Sequence, residues 1–207
     1  MKKSVISIIF FSLLMMLFVG CNQNQVDSPE KVASNFLQAL QQQKYTSAKT
    51  YYAENLDNMA NFRNQIEDIS PSVANKLFSK MSDFSYTIHE TTINPNDSNK
   101  ASVTATITAY DLGKSFESTV LDYIKTDLEM TFDGATSDDV IKQAEEVIVN
   151  EIESSEKTFV SDVTITLTKK DNVWTIDKIS DNPVLLNALS GNIINTIEQL
   201  STNLQNQ

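Results

Sequence analysis

The chain has 207 residues, 16 basic against 27 acidic, and a formal net charge of −11. That length suits one domain with a sizeable core, and the acidic balance excludes a binder of nucleic acid. A single cysteine excludes an internal disulfide, and a single histidine, His89, excludes a two-histidine metal site.

The chain opens on Lys2 and Lys3, runs apolar from Ser4 to Val19, and closes on Gly20 and Cys21. A basic start, an apolar middle and a small residue at the end form a secretory signal. The run is shorter than the roughly 20 residues of a membrane-spanning helix. Leu17-Phe18-Val19-Gly20-Cys21 resembles the lipobox of bacterial lipoproteins, with Phe18 where leucine is commoner. The resemblance implies cleavage after Gly20, lipidation of Cys21, and a location on the outer face of the cytoplasmic membrane. Two acyl chains hold a soluble domain there stably, whereas one chain holds it only reversibly. A plain cleaved signal with a chance cysteine, or an uncleaved anchor helix, is the alternative. Loss of residues 1–20 removes two lysines, leaving 14 basic against 27 acidic residues and a net charge of −13. The single arginine among many lysines and asparagines points to a low-GC Gram-positive source.

Residues 21–28 read as a tether. Ser28-Pro29-Glu30 then predicts a helix start, with Ser28 as cap, Pro29 at the first position and Glu30 favouring the dipole. Val32, Phe36, Leu37 and Leu40 give that helix one apolar face. Thr46 to Ala53 reads as a short second helix with Ala48, Tyr51 and Tyr52 inward. Leu56, Met59, Phe62 and Ile66 predict a third. Ser70-Pro71 repeats the cap signal before Val73, Leu77, Phe78 and Met81.

From Phe84 the period changes to two. Phe84, Tyr86 and Ile88 alternate with Ser85, Thr87 and His89, which shares its face with Thr87 and Thr91. Asn94 to Asn99 is dense in turn formers. Ala101, Val103, Ala105, Ile107 and Ala109 alternate with hydroxyl residues in the clearest strand of the chain. The two runs predict an antiparallel hairpin. The small residues on its apolar face leave room for a close-packed helix or for a hydrophobic ligand.

Phe116, Val120, Ile124 and Leu128, with Leu121 beside them, return to helical spacing. Asp133-Gly134 predicts a turn, and Thr136 with Asp139 a capping box. Val140, Ala144, Val147, Ile148 and Ile152 continue as a second helix ending before Thr158. Val163, Ile165 and Leu167 mark a third strand, Lys169 to Asn172 a turn, and Trp174 with Ile176 a fourth. Asn182-Pro183 starts a C-terminal helix with the stripe Leu186, Leu189, Ile193, Ile197, Leu200 and Leu204.

The predicted class is α+β: N-terminal helices on a curved, mainly antiparallel four-stranded sheet, with a helical pair at about 115–155 inserted between strands 2 and 3. The segments Pro29 to Leu40, Tyr45 to Tyr52 and Val173 to Ile179 resemble the nuclear transport factor 2-like cone fold. One domain spans residues 29–207, and its C-terminal helix covers about 183–204. That resemblance implies a sheet wrapped around a long first helix and a cone-shaped pocket. The helical pair and the C-terminal helix depart from a compact member, and either plugs the pocket, extends it, or meets a second chain.

Candidate chemistry is sparse. An isomerase-type cone enzyme needs an aspartate base with tyrosine or acid donors around a developing oxyanion. Tyr86, Tyr110, Asp111 and Asp177 are the residues available, with His89 as a possible base and Trp174 in the wall. Their spacing is ordinary, and there is no nucleophile elbow. Asp133, Asp138 and Asp139 bring carboxylates near one turn, but they lack the alternation of a calcium loop, and helix capping accounts for them better. No cofactor or metal is implied.

The expected role is a non-enzymatic module that binds a protein partner or a small apolar ligand. An isomerase or hydrolase using the Tyr110-Asp111 region is the alternative. A structural or assembly factor of the envelope, meeting partners through the added helices, is another.

Overall fold

A computed structural model describes residues 27–53, 57–119 and 136–205. Cys21 and the signal, Leu56, Val120, Leu121, Ile124, Leu128 and the Asp133-Gly134 turn lie outside the described residues. Elements are numbered in chain order as α1 Pro29–Gln41, α2 Tyr45–Lys49, α3 Asp57–Ile69, α4 Pro71–Ser82, β1 Ser85–Ile93 and β2 Lys100–Ala109. A helix α5 begins at residue 112 and is described to residue 119. Then follow α6 Ser137–Ser154, β3 Phe159–Lys170, β4 Val173–Ile176, α7 Pro183–Leu189 and α8 Ile193–Gln205.

Local chemistry sets the helix starts. Ser28 Oγ accepts the Lys31 amide, Ser70 Oγ accepts that of Val73, and Asn182 Oδ1 accepts that of Leu185; proline follows each cap. Each side chain satisfies one of the amides that a helix start leaves without an internal partner. Thr136 and Asp139 form the reciprocal capping box at α6.

The four strands form one antiparallel sheet in the order β1-β2-β3-β4. The chain is therefore α+β, with helices laid on a four-stranded sheet and a helical pair inserted between β2 and β3. Asp171 and Asn172 both take positive φ, 50° and 65°, in the two-residue turn between β3 and β4. Primed turns require this backbone, and aspartate and asparagine tolerate it.

One sheet face is apolar and covered. Val103, Ile107, Ile165 and Leu167 are fully buried there, and Ala105 and Ile176 nearly so. Two helices cover that face. Helix α1 lies over β1, β2 and β4, and α7 lies over β2 and β3. Val32, Ala33, Phe36, Leu37 and Leu40 of α1 join Leu185, Ala188 and Leu189 of α7 in the same core. The alanines of β2 let both helices approach closely, so helix packing takes the space that a hydrophobic ligand would have used.

Three expectations are corrected. The second helix stops at Lys49 rather than running to Ala53. Beyond it, Tyr51 accepts the Ile176 amide through its carbonyl and Ala53 donates to the Ile176 carbonyl, covering the open edge of β4. Covering an edge removes a row of unpaired backbone groups. The predicted C-terminal helix is two helices, broken where Gly191 and Asn192 take φ of 61° and 70°. The break sends Leu185 and Leu189 to the sheet and frees Ile193 and Ile197 to face elsewhere. Finally, the pairing of β1 with β2 slips between Ile88 and Glu90. The extra residue is His89. A bulge of this kind reverses the alternation beyond it, so Thr91 pairs with buried Val103 on the covered face instead of sharing the face of His89.

Candidate functional site

The sequence-predicted site residues are spread over the molecule. Tyr86 stands on the covered face of β1, where its hydroxyl donates to the Ser34 carbonyl at 3.1 Å and lies 3.0 Å from Ser34 Oγ. Trp174 is buried in the core on β4, with two strands between it and β1, and Lys169 Nζ lies 5.0 Å above its ring. Both build the contact between sheet and α1. Neither lines an open pocket there, because α1 and α7 fill it.

His89 projects from the opposite, exposed face. Its Nε2 lies 2.7 Å from Thr106 Oγ1, which lies 2.6 Å from Asp162 Oδ1. A threonine hydroxyl has one proton. Thr106 gives it to Asp162, so His89 Nε2 carries its own proton and donates to Thr106. The row ties β1, β2 and β3 together across their solvent face.

Tyr110 and Asp111 are adjacent in sequence but serve different structures. The Tyr110 hydroxyl donates to Asp83 Oδ2 at 3.1 Å, while Lys157 Nζ reaches Asp83 Oδ1 at 2.9 Å and Lys80 Nζ sits 3.9 Å from the Tyr110 ring centre. The Lys157 ammonium holds the Asp83 carboxyl below the usual carboxylate range, and the hydrogen bond to that carboxylate raises Tyr110 above the usual phenol range. Asp111 caps α5: its Oδ1 accepts the Lys114 amide at 3.1 Å and meets Asn192 Nδ2 at 3.5 Å. Asp177 accepts a hydrogen bond from Thr168 Oγ1 and donates its amide to the Thr166 carbonyl. The Asp139 carboxyl is spent on Thr136, whose hydroxyl holds it below the usual range. No two of these residues converge on a common point where a substrate atom would sit.

A large apolar space lies elsewhere, away from the sheet, among α3, α4, α5, α6 and α8. It has a volume of about 460 Å3. Leu77 and Met81 of α4, Leu112 and Phe116 of α5, and Ile193 and Ile194 at the start of α8 are among its walls, with Ile66, Ile148 and Ile152 behind them. Two lining residues are polar, Thr119 and Ser190. Each spends its hydroxyl on its own chain: Thr119 donates to the Ser115 carbonyl at 2.8 Å and Ser190 to the Asn187 carbonyl at 3.0 Å. The described walls thus present hydrocarbon, and no free hydrogen-bonding group among the described residues. Phe116 and Ile197 line the space yet remain 37% and 42% exposed, so it opens to solvent beside them.

Polar contacts around the rim fix the walls. Ser70 Oγ donates to Glu145 Oε1 at 2.7 Å, Lys76 pairs with Glu153, and Lys80 Nζ reaches the Glu153 and Ser155 carbonyls at the end of α6. The Lys76 ammonium holds Glu153 below the usual carboxylate range. Sequence reading finds the apolar stripes of α4, α6 and α8 without locating this space. The signal available was arithmetic: five amphipathic helices are too many for one face of a four-stranded sheet already covered by α1.

No protein-family model matches the chain, and no curated protein matches it. Among solved structures, the crystal structure of YcdA from Bacillus subtilis, described as a candidate lipoprotein, is similar at a TM-score of 0.46 and 15% identity. The match covers 79% of this chain and 59% of that one. The chain thus spans about three fifths of the length of its structural neighbour.

Proposed function

We propose that this protein is a lipid-anchored module of the outer face of the cytoplasmic membrane that binds a small apolar ligand and catalyses no reaction. The observation that carries the binding role is the cavity of about 460 Å3, within the size range of small-molecule sites, with walls that offer no free polar group among the described residues. The signal and lipobox resemblance of residues 1–21 support the anchor. The first helix laid across an antiparallel sheet supports the cone-fold reading, with its usual pocket plugged by α7 and a replacement space opened by the helical insertion. The non-catalytic reading is supported by where the candidate residues sit. Tyr86, Tyr110, Asp111 and Asp177 each hold a structural hydrogen bond, and none of them borders the cavity.

The test is to purify the full protein from its own membranes, exchange away the detergent, and record native and denaturing mass spectra. A co-purifying apolar molecule that leaves on denaturation is the expected result. An empty protein that also fails to take up any hydrophobic dye would overturn the reading.

A further inference from the structure

The shape and chemistry of the cavity narrow its ligand. Val73, Leu77 and Met81 form one stripe of α4, eight residues from first to last, which is about 12 Å along a helix axis. Ile193, Ile194 and Ile197 run along the first turn of α8, and Ile148 and Ile152 add a turn of α6. The space is therefore a slot between helices, and most of its described lining is aliphatic. Thr119 and Ser190 are satisfied by their own helices. A ligand bearing a hydroxyl, amide or charge inside the slot would leave that group unpaired, at a cost of kilocalories per mole. Its polar end must therefore stay at the mouth, beside Phe116 and Ile197.

Volume sets the size. An apolar protein cavity of about 150 Å3 takes one benzene, so the slot here corresponds to about eighteen carbons. A linear chain of that many outruns the α4 stripe of about 12 Å, so only part of it lies along that wall. Position sets the source. If Cys21 is lipidated, residues 22–28 span at most about 25 Å when fully extended, so the slot stays within about one domain diameter of the bilayer. We infer that the slot takes up a single unbranched acyl chain of a membrane phospholipid, hydrocarbon inside and head group at the mouth. This rests on the lipid-anchored binding reading above and goes further by naming the ligand class. Transfer from bilayer to slot exchanges one hydrocarbon surrounding for another, so the hydrophobic effect contributes little to it. Retention depends on close packing along the walls.

The experiment uses the full chain in phosphatidylglycerol vesicles containing a phospholipid with a diazirine near the end of its palmitoyl chain. After illumination, labelled peptides are mapped. Label in the Val73–Met81 and Ile193–Ile197 peptides is the expected result. Leu77→Trp, which narrows the slot, should cut that label several-fold and leave labelling of residues 1–28 unchanged. The wild-type map does not depend on that variant folding. Label confined to residues 1–28 would overturn the inference. Competition separates this idea from the broader one. Displacement of the label by hexadecane but not by adamantane supports an extended chain. If compact adamantane displaces it better, or if the purified protein yields an apolar molecule with no acyl chain, apolar binding stands and the acyl assignment falls. A slot labelled only when the diazirine chain is carried on Cys21 itself would overturn the membrane-lipid source in favour of the protein's own anchor.

Discussion

The Gly113 amide donates to the Gly191 carbonyl at 2.9 Å, joining the start of α5 to the break between α7 and α8. Neither position has room for a side chain. A Cβ on Gly113 would stand 2.4 Å from Thr196 Oγ1 and 2.6 Å from the Asn192 carbonyl oxygen, and one on Gly191 would stand 2.5 Å from the Tyr110 carbonyl oxygen. Gly191 also takes a φ of 61°, which is costly for other residues. Both glycines lie next to cavity-lining residues, Leu112 on one side and Ser190 on the other. Gly113→Ala is expected to destabilise by about 2 kcal/mol, the usual scale of overpacking. In a protein of this size that lowers Tm by on the order of 5 °C. Because the two residues share one seam, the double alanine variant should cost less than the sum of the singles. Thermal unfolding of the three variants decides it, and strict additivity would show that the seam is not a unit.

Asn187 is the polar residue that makes the α7–α8 break. It is buried, its Nδ2 donates to Asn192 Oδ1 at 3.1 Å, and its Oδ1 accepts the Asn195 amide at 3.0 Å. Asn187→Ala strands both partners. Leaving a buried group unpaired costs about 1–3 kcal/mol, so a loss near the middle of that range is expected in urea unfolding. Asn187→Asp keeps the acceptor but loses the donor to Asn192, and should retain part of the stability at neutral pH. Equal loss in both variants would place the effect in packing instead.

The Asp83–Tyr110–Lys157 contact makes stability depend on pH at both ends of the scale. Asp83 titrates lower in the folded chain than in the unfolded one. Its contribution is present above the unfolded value, about 4, and is lost as pH falls through the lower folded value. Tyr110 titrates higher when folded. Its contribution is present below about 10 and is lost as pH rises through the raised folded value. Asp83 is 61% exposed, so solvent screening keeps each effect to at most about 1 kcal/mol. Tyr110→Phe should flatten the alkaline limb of a stability-against-pH curve, and Asp83→Asn should flatten both limbs. An alkaline limb unchanged in Tyr110→Phe would remove this pair from the explanation.

Much of the fold was legible from local chemistry. Three proline-following caps, the capping box at Thr136, and the alternation from Ala101 to Ala109 each predict what is found, because each is decided within a few residues. The misses have a common physical cause. Tyr51 and Tyr52 read as helical until the free edge of β4 competes for their backbone. His89 reads as an ordinary alternating residue, since nothing nearby in sequence announces the slipped register with β2. The stripe from Leu186 to Leu204 continues in phase across Gly191, although its two halves go to different neighbours. The cavity was illegible because it belongs to five helices brought together only by the fold.

The alanines of β2 offer a test of how closely the helices pack on the covered sheet face. Ala105 is 1% exposed and belongs to the core shared by the sheet, α1 and α7. Ala105→Leu adds volume where two helices already approach closely, and overpacking of this kind costs about 1–3 kcal/mol. Phe36→Ala in α1 acts in the opposite sense, removing a fully buried ring at a cost of about 3–5 kcal/mol.

The proposed anchoring turns on one thiol. A chain cut before Cys21 and acylated there would carry two or more acyl chains, enough for stable membrane residence, and would have no other means of attachment predicted from its sequence. Cys21→Ser removes the acceptor. The expected outcome is loss of the lipid mass from the intact protein and a shift from the membrane pellet to the soluble or secreted fraction. Cys21 precedes the proposed tether, so the unfolding midpoint should stay unchanged. Wild-type protein bearing no lipid mass, or a serine variant that stays in the membrane as an uncleaved precursor of full length, would show that the N-terminal segment itself is the anchor.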